Sequence, residues 1–228
     1  MTEDELVPLP TDFAGRFDQE SRPACQLYVV SPPRIEIPTF AENLKAALDG
    51  GPVAAFQLRL KDVGDDEVLR ACAALLPVCQ AADVAFILND RADLAKQAGA
   101  DGVHLGQGDG SIAEARALLG REAQIGRTCH DSRHLAMEAG EAGADYVAFG
   151  AFYDTTTKPS HYRPTPDILS WWTTLSQVPC VAIGGIFAHN AAPLVAAKAD
   201  FIAVVRAVWD HEGGPGAGVA SFGGVLGW

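Results

Sequence analysis

Short β-rich apolar runs alternate with Ala- and Leu-rich stretches from residue 26 almost to the end of the chain, and nothing else in the sequence restricts the fold as strongly. The predicted strands are 26–30, 54–60, 85–88, 102–105, 124–127, 146–149, 180–183 and 201–205. Each is nearly continuous in its apolar character, the pattern of a strand buried on both faces. Between them the spacing predicts helices over 40–49, 65–82, 93–97, 112–119, 132–142, 166–176 and 190–197. Leu69, Cys72, Ala73 and Leu76 fall at i, i+3, i+4 and i+7, which predicts one helical face turned toward the sheet. Such alternation implies parallel strands joined by helical crossovers. Eight strands within 228 residues favour a closed (β/α)8 TIM barrel, an α/β single domain, over an open doubly wound sheet.

A weak repeat supports this. Ala98-Gly99-Ala100-Asp101-Gly102-Val103 recurs as Ala142-Gly143-Ala144-Asp145-Tyr146-Val147, and less closely as Ala197-Lys198-Ala199-Asp200-Phe201-Ile202. Each copy ends a helix and turns into a strand, at the barrel face where stability rather than catalysis is expected. Residues 1–25 lack a period and read as an N-terminal extension, with the barrel over 26–212. The Gly-rich stretch 213–228 lacks the G-K-[ST] ending of a nucleotide loop and reads as a flexible tail.

The formal charge of −12 opposes binding to nucleic acid or to an anionic membrane, although a local basic pocket for a small phosphorylated ligand remains open. Five cysteines without disulfide or zinc spacing suit a reducing cytosol, and the acidic N-terminus has no apolar leader, so a cytoplasmic protein is expected. A homo-oligomer is left open. Trp171, Trp172 and Trp209 are expected to pack helices on the barrel.

In a parallel barrel the reactive groups belong just past the C-terminal ends of the strands. Gln57, Arg59 and Lys61 alternate onto one side of the second predicted strand, where two cations suit a diphosphate. The third predicted strand ends in Leu88-Asn89-Asp90-Arg91, and the fourth runs into His104-Leu105-Gly106-Gln107-Gly108-Asp109. Asp90 and Asp109 therefore follow adjacent strands, and two carboxylates with phosphate oxygens and water are the usual surroundings of Mg2+. After the sixth strand, Thr155, Thr156, Thr157 and Lys158 offer donors to anionic oxygens. Gly184 and Gly185 close the seventh, where barrels commonly bind phosphate. His130 and His134, four apart with Cys129 beside them, resemble a zinc pair, but no third ligand is evident.

The ordered set Q-L-R-x-K, N-D-R, G-A-D-G-V-H-L-G-Q-x-D, G-A-D-Y, T-x-T-K and A-I-G-G-I resembles the thiamine phosphate synthase family over about residues 26–208. The same superfamily includes a thiazole tautomerase. The resemblance implies a transferase that joins 4-amino-5-hydroxymethyl-2-methylpyrimidine diphosphate to a thiazole phosphate. It implies Gln57, Arg59, Lys61, Asn89, Thr128 and Lys158 around the pyrimidine diphosphate, with Mg2+ on Asp90 and Asp109. Thr155, Thr156, Thr157, Gly185, Val205 and Arg206 would surround the thiazole phosphate, and Arg59, Lys61 and Lys158 would act in catalysis. Leu60 stands where the family usually has Glu, Thr128 where it has Ser, and Arg206 where it has Ser; Arg127 adds a cation at a strand end. A tautomerase-like isomerase and a non-catalytic barrel that binds a thiamine precursor are the alternatives.

Overall fold

The computed structural model describes residues 22–155 and 161–228. Its strands are β1 (Gln26–Val30), β2 (Ala55–Leu58), β3 (Ala85–Asn89), β4 (Gly102–Leu105), β5 (Gln124–His130), β6 (Tyr146–Gly150), β7 (Cys180–Ile183) and β8 (Phe201–Val204). The helices are α1 (Ile37–Asp49), α2 (Asp65–Ala81), α3 (Ala92–Ala98), α4 (Ile112–Leu119), α5 (Arg133–Glu141), α6 (Asp167–Leu175), α7 (Ala192–Ala196), α8 (Arg206–Trp209), α9 (Gly214–Ala220) and α10 (Gly223–Leu226). Every strand pairs in parallel with its sequence neighbours, and β8 closes on β1 through Tyr28 opposite Ala203. The predicted (β/α)8 barrel is the observed fold.

The period of two along each strand sorts side chains into two cores. Leu27, Val29, Phe56, Leu58, Val103, Leu105, Val147 and Phe149 face outward and pack under the helices. Tyr28, Val30, Ala55, Ile87, Tyr146, Ala148, Val181 and Ala203 fill the barrel interior. Apolar burial on this scale is the main force holding the ring closed. The tryptophans pack as expected. Trp172 is buried and donates to Val178 O at 2.8 Å, while Trp209 packs 4.6 Å from Phe40 and donates to Val30 O at 2.7 Å. Trp171 lies under the Arg133 guanidinium at 4.9 Å.

Two expectations are corrected. On α2 the buried residues are Ala71, Cys72, Leu75 and Cys79, whereas Ala73 is exposed and Leu69 and Leu76 are half-buried. An Ala-rich helix has several stripes of similar apolarity, and neighbouring elements select one. The stretch 213–228 is also not a loose tail: it forms α9 and α10, with Val219, Phe222 and Leu226 buried. Its glycines serve close packing. A Cβ on Gly50, after α1, would lie 2.2 Å from Gly216 O on α9.

The repeated Asp is a device of the barrel's N-terminal face. Asp101 accepts from Phe86 N at 2.7 Å, Asp145 from Ile125 N at 2.6 Å, and Asp200 from Cys180 N at 2.8 Å. Each carboxylate thus satisfies a backbone N–H at the start of the preceding pair's strand. Arg22 forks onto Asp200 at 2.8 and 2.9 Å, and Arg116 pairs with Asp145. Residues 22–25 of the expected extension are therefore tied to the barrel.

Two stability predictions follow from these contacts. Asp145→Ala should cost about 1–3 kcal/mol, because it leaves the Ile125 N–H without its acceptor and removes the carboxylate paired with Arg116. For a chain of this size, each kcal/mol should lower Tm by about 2–4 °C in a calorimetric scan. Gly126 faces inward with Tyr146, and a Cβ there would lie 2.0 Å from Tyr146 Cζ. Gly126→Ala should therefore cost about 1–3 kcal/mol or more by overpacking, checked in the same scan.

Candidate active site

The C-terminal mouth of the barrel opens into a cavity of about 560 Å³. Its floor is a buried polar chain across the interior. Tyr28 Oη and Tyr146 Oη lie 3.0 Å apart, Tyr146 Oη is 3.1 Å from His104 Nδ1, and His104 Nε2 is 2.8 Å from Thr128 Oγ1. Burial pushes both tyrosine hydroxyls above their ordinary pKa, so they stay protonated. Satisfied in this way, the chain gives a fixed floor rather than a set of costly orphans. Of these residues, sequence reasoning singled out only Thr128. His104 sits between Val103 and Leu105 on β4, and a polar residue in the inward phase was the available signal.

The wall formed by β2 and β3 carries the charged groups. Past Leu58 the alternation continues, so Gln57, Arg59 and Lys61 all line the cavity, as expected. Leu60 falls on the other side and packs with the outer core, so it is not part of the cavity wall. Gln57 is 4% exposed and donates to Asn89 Oδ1 at 3.0 Å. Ser31, which sequence reasoning missed, is fully buried; its hydroxyl accepts from Arg59 N at 2.8 Å and anchors the backbone where Arg59 turns inward. Among the described residues, Arg59 Nη1 is buried without a hydrogen-bond partner. A desolvated cationic donor of this kind is costly unless an acceptor arrives.

Lys61 Nζ is paired with Asp90 Oδ2, and the Asp90 and Asp109 carboxylates lie near enough to shift each other's protonation. Asp109 Oδ2 also accepts from Gly106 N at 2.8 Å. The two carboxylates, expected to meet from adjacent strands, do meet. Burial raises the pKa of Asp90, but the Lys61 ammonium, the neighbouring Asp109 carboxyl and the Arg59 charge together hold it below the usual carboxylate range. Asp109 is pushed up, first by burial and then by Asp90 beside it, with Gly106 N–H only partly offsetting them. Arg127, the extra cation, donates to Gly110 O at 2.8 Å and so tethers the loop that carries Asp109.

The opposite side of the mouth comes from the loops after β6, β7 and β8. Thr155, Gly185, Val205 and Arg206 line the cavity. Gly185 has φ +66°, and a Cβ would lie 2.4 Å from Asp154 O, so only glycine lets these two loops touch. The expected helix N-terminus after β7 is instead a short 3-10 turn, Ala188–Asn190, before α7. Arg206 is exposed, and its Nε donates to Asp210 Oδ2 at 2.8 Å. Thr156, Thr157 and Lys158 lie outside the described residues. The histidine pair is split: His130 stacks on Tyr162 at 4.1 Å at the mouth, and His134 pairs with Glu138 at 3.3 Å on α5.

Comparison with known proteins adds to this geometry. The family model described as Thiamine monophosphate synthase matches residues 27–208. A thiamine-phosphate synthase of Rhodospirillum centenum is 57% identical over 202 residues, covering 89% of this chain and 98% of that protein. One from Erythrobacter litoralis is 54% identical over 191 residues, covering 82% and 89% respectively. The solved structure of thiamine phosphate pyrophosphorylase from Pyrococcus furiosus superposes with a TM-score of 0.78 at 29% identity, over 89% of this chain and 95% of that one. A match across nearly the whole barrel, with relatives of this identity, places the chain in the thiamine monophosphate synthase family.

Proposed function

We propose that the chain joins 4-amino-5-hydroxymethyl-2-methylpyrimidine diphosphate to a thiazole phosphate, forming thiamine phosphate and releasing diphosphate. The observation that carries this reading is the buried Arg59 Nη1, unpartnered among the described residues, beside the Lys61–Asp90–Asp109 cluster at the edge of a cavity with a polar floor. It is a site arranged for an anion and a cation together. An isomerase acting on a thiazole monophosphate would have no diphosphate to place against it.

In the reaction, the bond between the pyrimidine methylene carbon and the diphosphate oxygen breaks, and its electron pair leaves with diphosphate. The aminopyrimidine delocalises the positive charge left on the methylene carbon. The thiazole nitrogen lone pair then forms the new C–N bond. Arg59 and Lys61 stabilise the negative charge that builds on the leaving group, with Lys158 proposed as a third cation. Gln57 and Asn89 hold each other in place at the same wall and orient the substrate. None of these steps needs an enzymic nucleophile or a strong base, which suits a site built of cations, amides and hydroxyls.

Asp90 and Asp109 fit Mg2+: two neighbouring carboxylates at one cavity wall, one with its pKa raised by burial and by the other's charge, are the oxygen donors such a cation takes. Asp90 and Asp109 would hold Mg2+, which when bound would supply positive charge to the departing diphosphate. Thr155, Thr156, Thr157, Gly185, Val205 and Arg206 are proposed to receive the thiazole phosphate. The Arg206 guanidinium takes the place of a hydroxyl there and offers forked hydrogen bonds. Five buried, unpaired cysteines support a reducing compartment, and the enzyme is proposed to work in the cytoplasm.

Incubating the purified chain with both substrates and Mg2+ should yield thiamine phosphate by mass spectrometry; absence of product, under conditions where a related synthase turns over, would falsify the reading. Asp90→Ala should abolish turnover while the far-ultraviolet circular dichroism stays unchanged. Arg206→Ala should raise KM for the thiazole phosphate by about tenfold or more, with KM for the pyrimidine diphosphate nearly constant, since one charge-assisted pair is lost. Equal effects on both constants would contradict the assignment of Arg206.

A further inference from the structure

Asp90 does not sit in an ordinary backbone conformation. Its φ is +67°, and Arg91 N donates to Asn89 O at 2.9 Å across it, closing a tight turn with Asp90 at its centre. Asp90 N donates to His104 O on β4 at 2.8 Å. A positive φ is uncommon for a non-glycine residue, and such a turn persists only where its surroundings over-determine it. Two backbone hydrogen bonds fix the turn against the barrel. They do not fix the chain that leaves it.

Arg91 supplies that second anchor. It does not line the cavity. Its guanidinium makes two forks: Nη1 and Nη2 donate to Asp65 Oδ1 and Oδ2 at 2.7 and 3.0 Å, while Nε and Nη2 donate to Asp93 Oδ1 and Oδ2 at 2.8 and 2.7 Å. Asp65 is the first residue of α2, just beyond the loop that carries Lys61. Asp93 is in the first turn of α3, just beyond Asp90. The two forks therefore clamp together the loops whose side chains meet as Lys61–Asp90. A single exposed ion pair contributes little. A planar fork engaged on both sides sets position and angle, which a lysine ammonium cannot reproduce.

We infer that Arg91 is a positioning residue, whose double fork to Asp65 and Asp93 holds the turn that presents the Asp90 carboxylate to Lys61 and Asp109. Its consequence for cation binding rests on the proposed role of Asp90 and Asp109, whereas its consequence for the turn does not.

The test compares Arg91→Ala, Arg91→Lys, Asp90→Asn and, as a control for general destabilisation, Asp145→Ala on the opposite face of the barrel. Mn2+ affinity is measured by electron paramagnetic resonance in the presence of diphosphate, and a crystal structure of Arg91→Ala is determined. Arg91→Ala should weaken Mn2+ binding by about tenfold or more, as loss of a group that orients a ligand does. Arg91→Lys should recover little of it, and Asp145→Ala should bind Mn2+ as the wild type does. In the crystal, Asp90 of Arg91→Ala should leave the left-handed region or lose Lys61.

Wild-type Mn2+ affinity in Arg91→Ala, alongside weakened binding in Asp90→Asn, overturns the inference. So does an Asp145→Ala variant that loses as much affinity as Arg91→Ala. If Asp90→Asn binds Mn2+ like the wild type, the cation reading fails by itself. The crystal structure then decides: an unmoved Asp90 turn overturns the role of Arg91, and a displaced one upholds it. Should Arg91→Ala fail to fold, Asp65→Asn breaks one fork, and a smaller loss of affinity with the same displaced turn is expected; an unchanged turn and affinity would again overturn the role.

Discussion

Closing eight parallel strands into one ring leaves an interior in which every second side chain meets only other interior side chains. Nothing there reaches bulk water until the strands end, so each polar group must find a partner or be placed at the mouth. Tyr28, Tyr146, His104 and Thr128 solve the first problem by bonding to one another. Gln57, Arg59 and Lys61 take the second course, since the same alternation carries them out of the apolar layer and into the cavity. Arg59 is left with a buried donor that the described residues do not satisfy. A buried cationic donor at this mouth is thus a consequence of barrel geometry acting on one strand's sequence.

Charge balance explains the rest of that wall. Lys61 offsets Asp90, and Asp90 in turn raises the pKa of Asp109, so the three act as one electrostatic unit, the basis of the proposed cation and diphosphate site. The two faces of the barrel divide the work. Aspartates of the repeated Ala-Asp motif sit at the N-terminal face and satisfy strand N–H groups, whereas Asp90 and Asp109 sit at the C-terminal face with cations around them. Residue type alone does not separate these roles; the end of the strand does.

Much of this was legible in the sequence because it follows a period. Strand order and closure needed the strand–helix alternation and a count of eight strands, and the inward phase of Gln57, Arg59 and Lys61 needed the period of two. The meeting of Asp90 and Asp109 needed only that their strands be neighbours. What escaped depended on packing without a period. Gly-rich composition suggested a loose C-terminal stretch, yet Gly216 is there to let α9 approach Gly50. The buried stripe of α2 was misplaced, since alanine fits either side of a helix. Ser31 and Arg91 were passed over because their importance lies in hydrogen bonds to residues distant in sequence. The family resemblance, in turn, rested on motifs at the strand ends, and it held across the barrel.

The most direct measurement of the central claim is a crystal structure of this chain with the pyrimidine diphosphate and Mg2+. The account predicts a diphosphate oxygen within hydrogen-bond distance of Arg59 Nη1, with both Asp90 and Asp109 turned to the metal. A diphosphate seated away from the ends of β2 and β3, with Arg59 Nη1 still unpartnered, would contradict it.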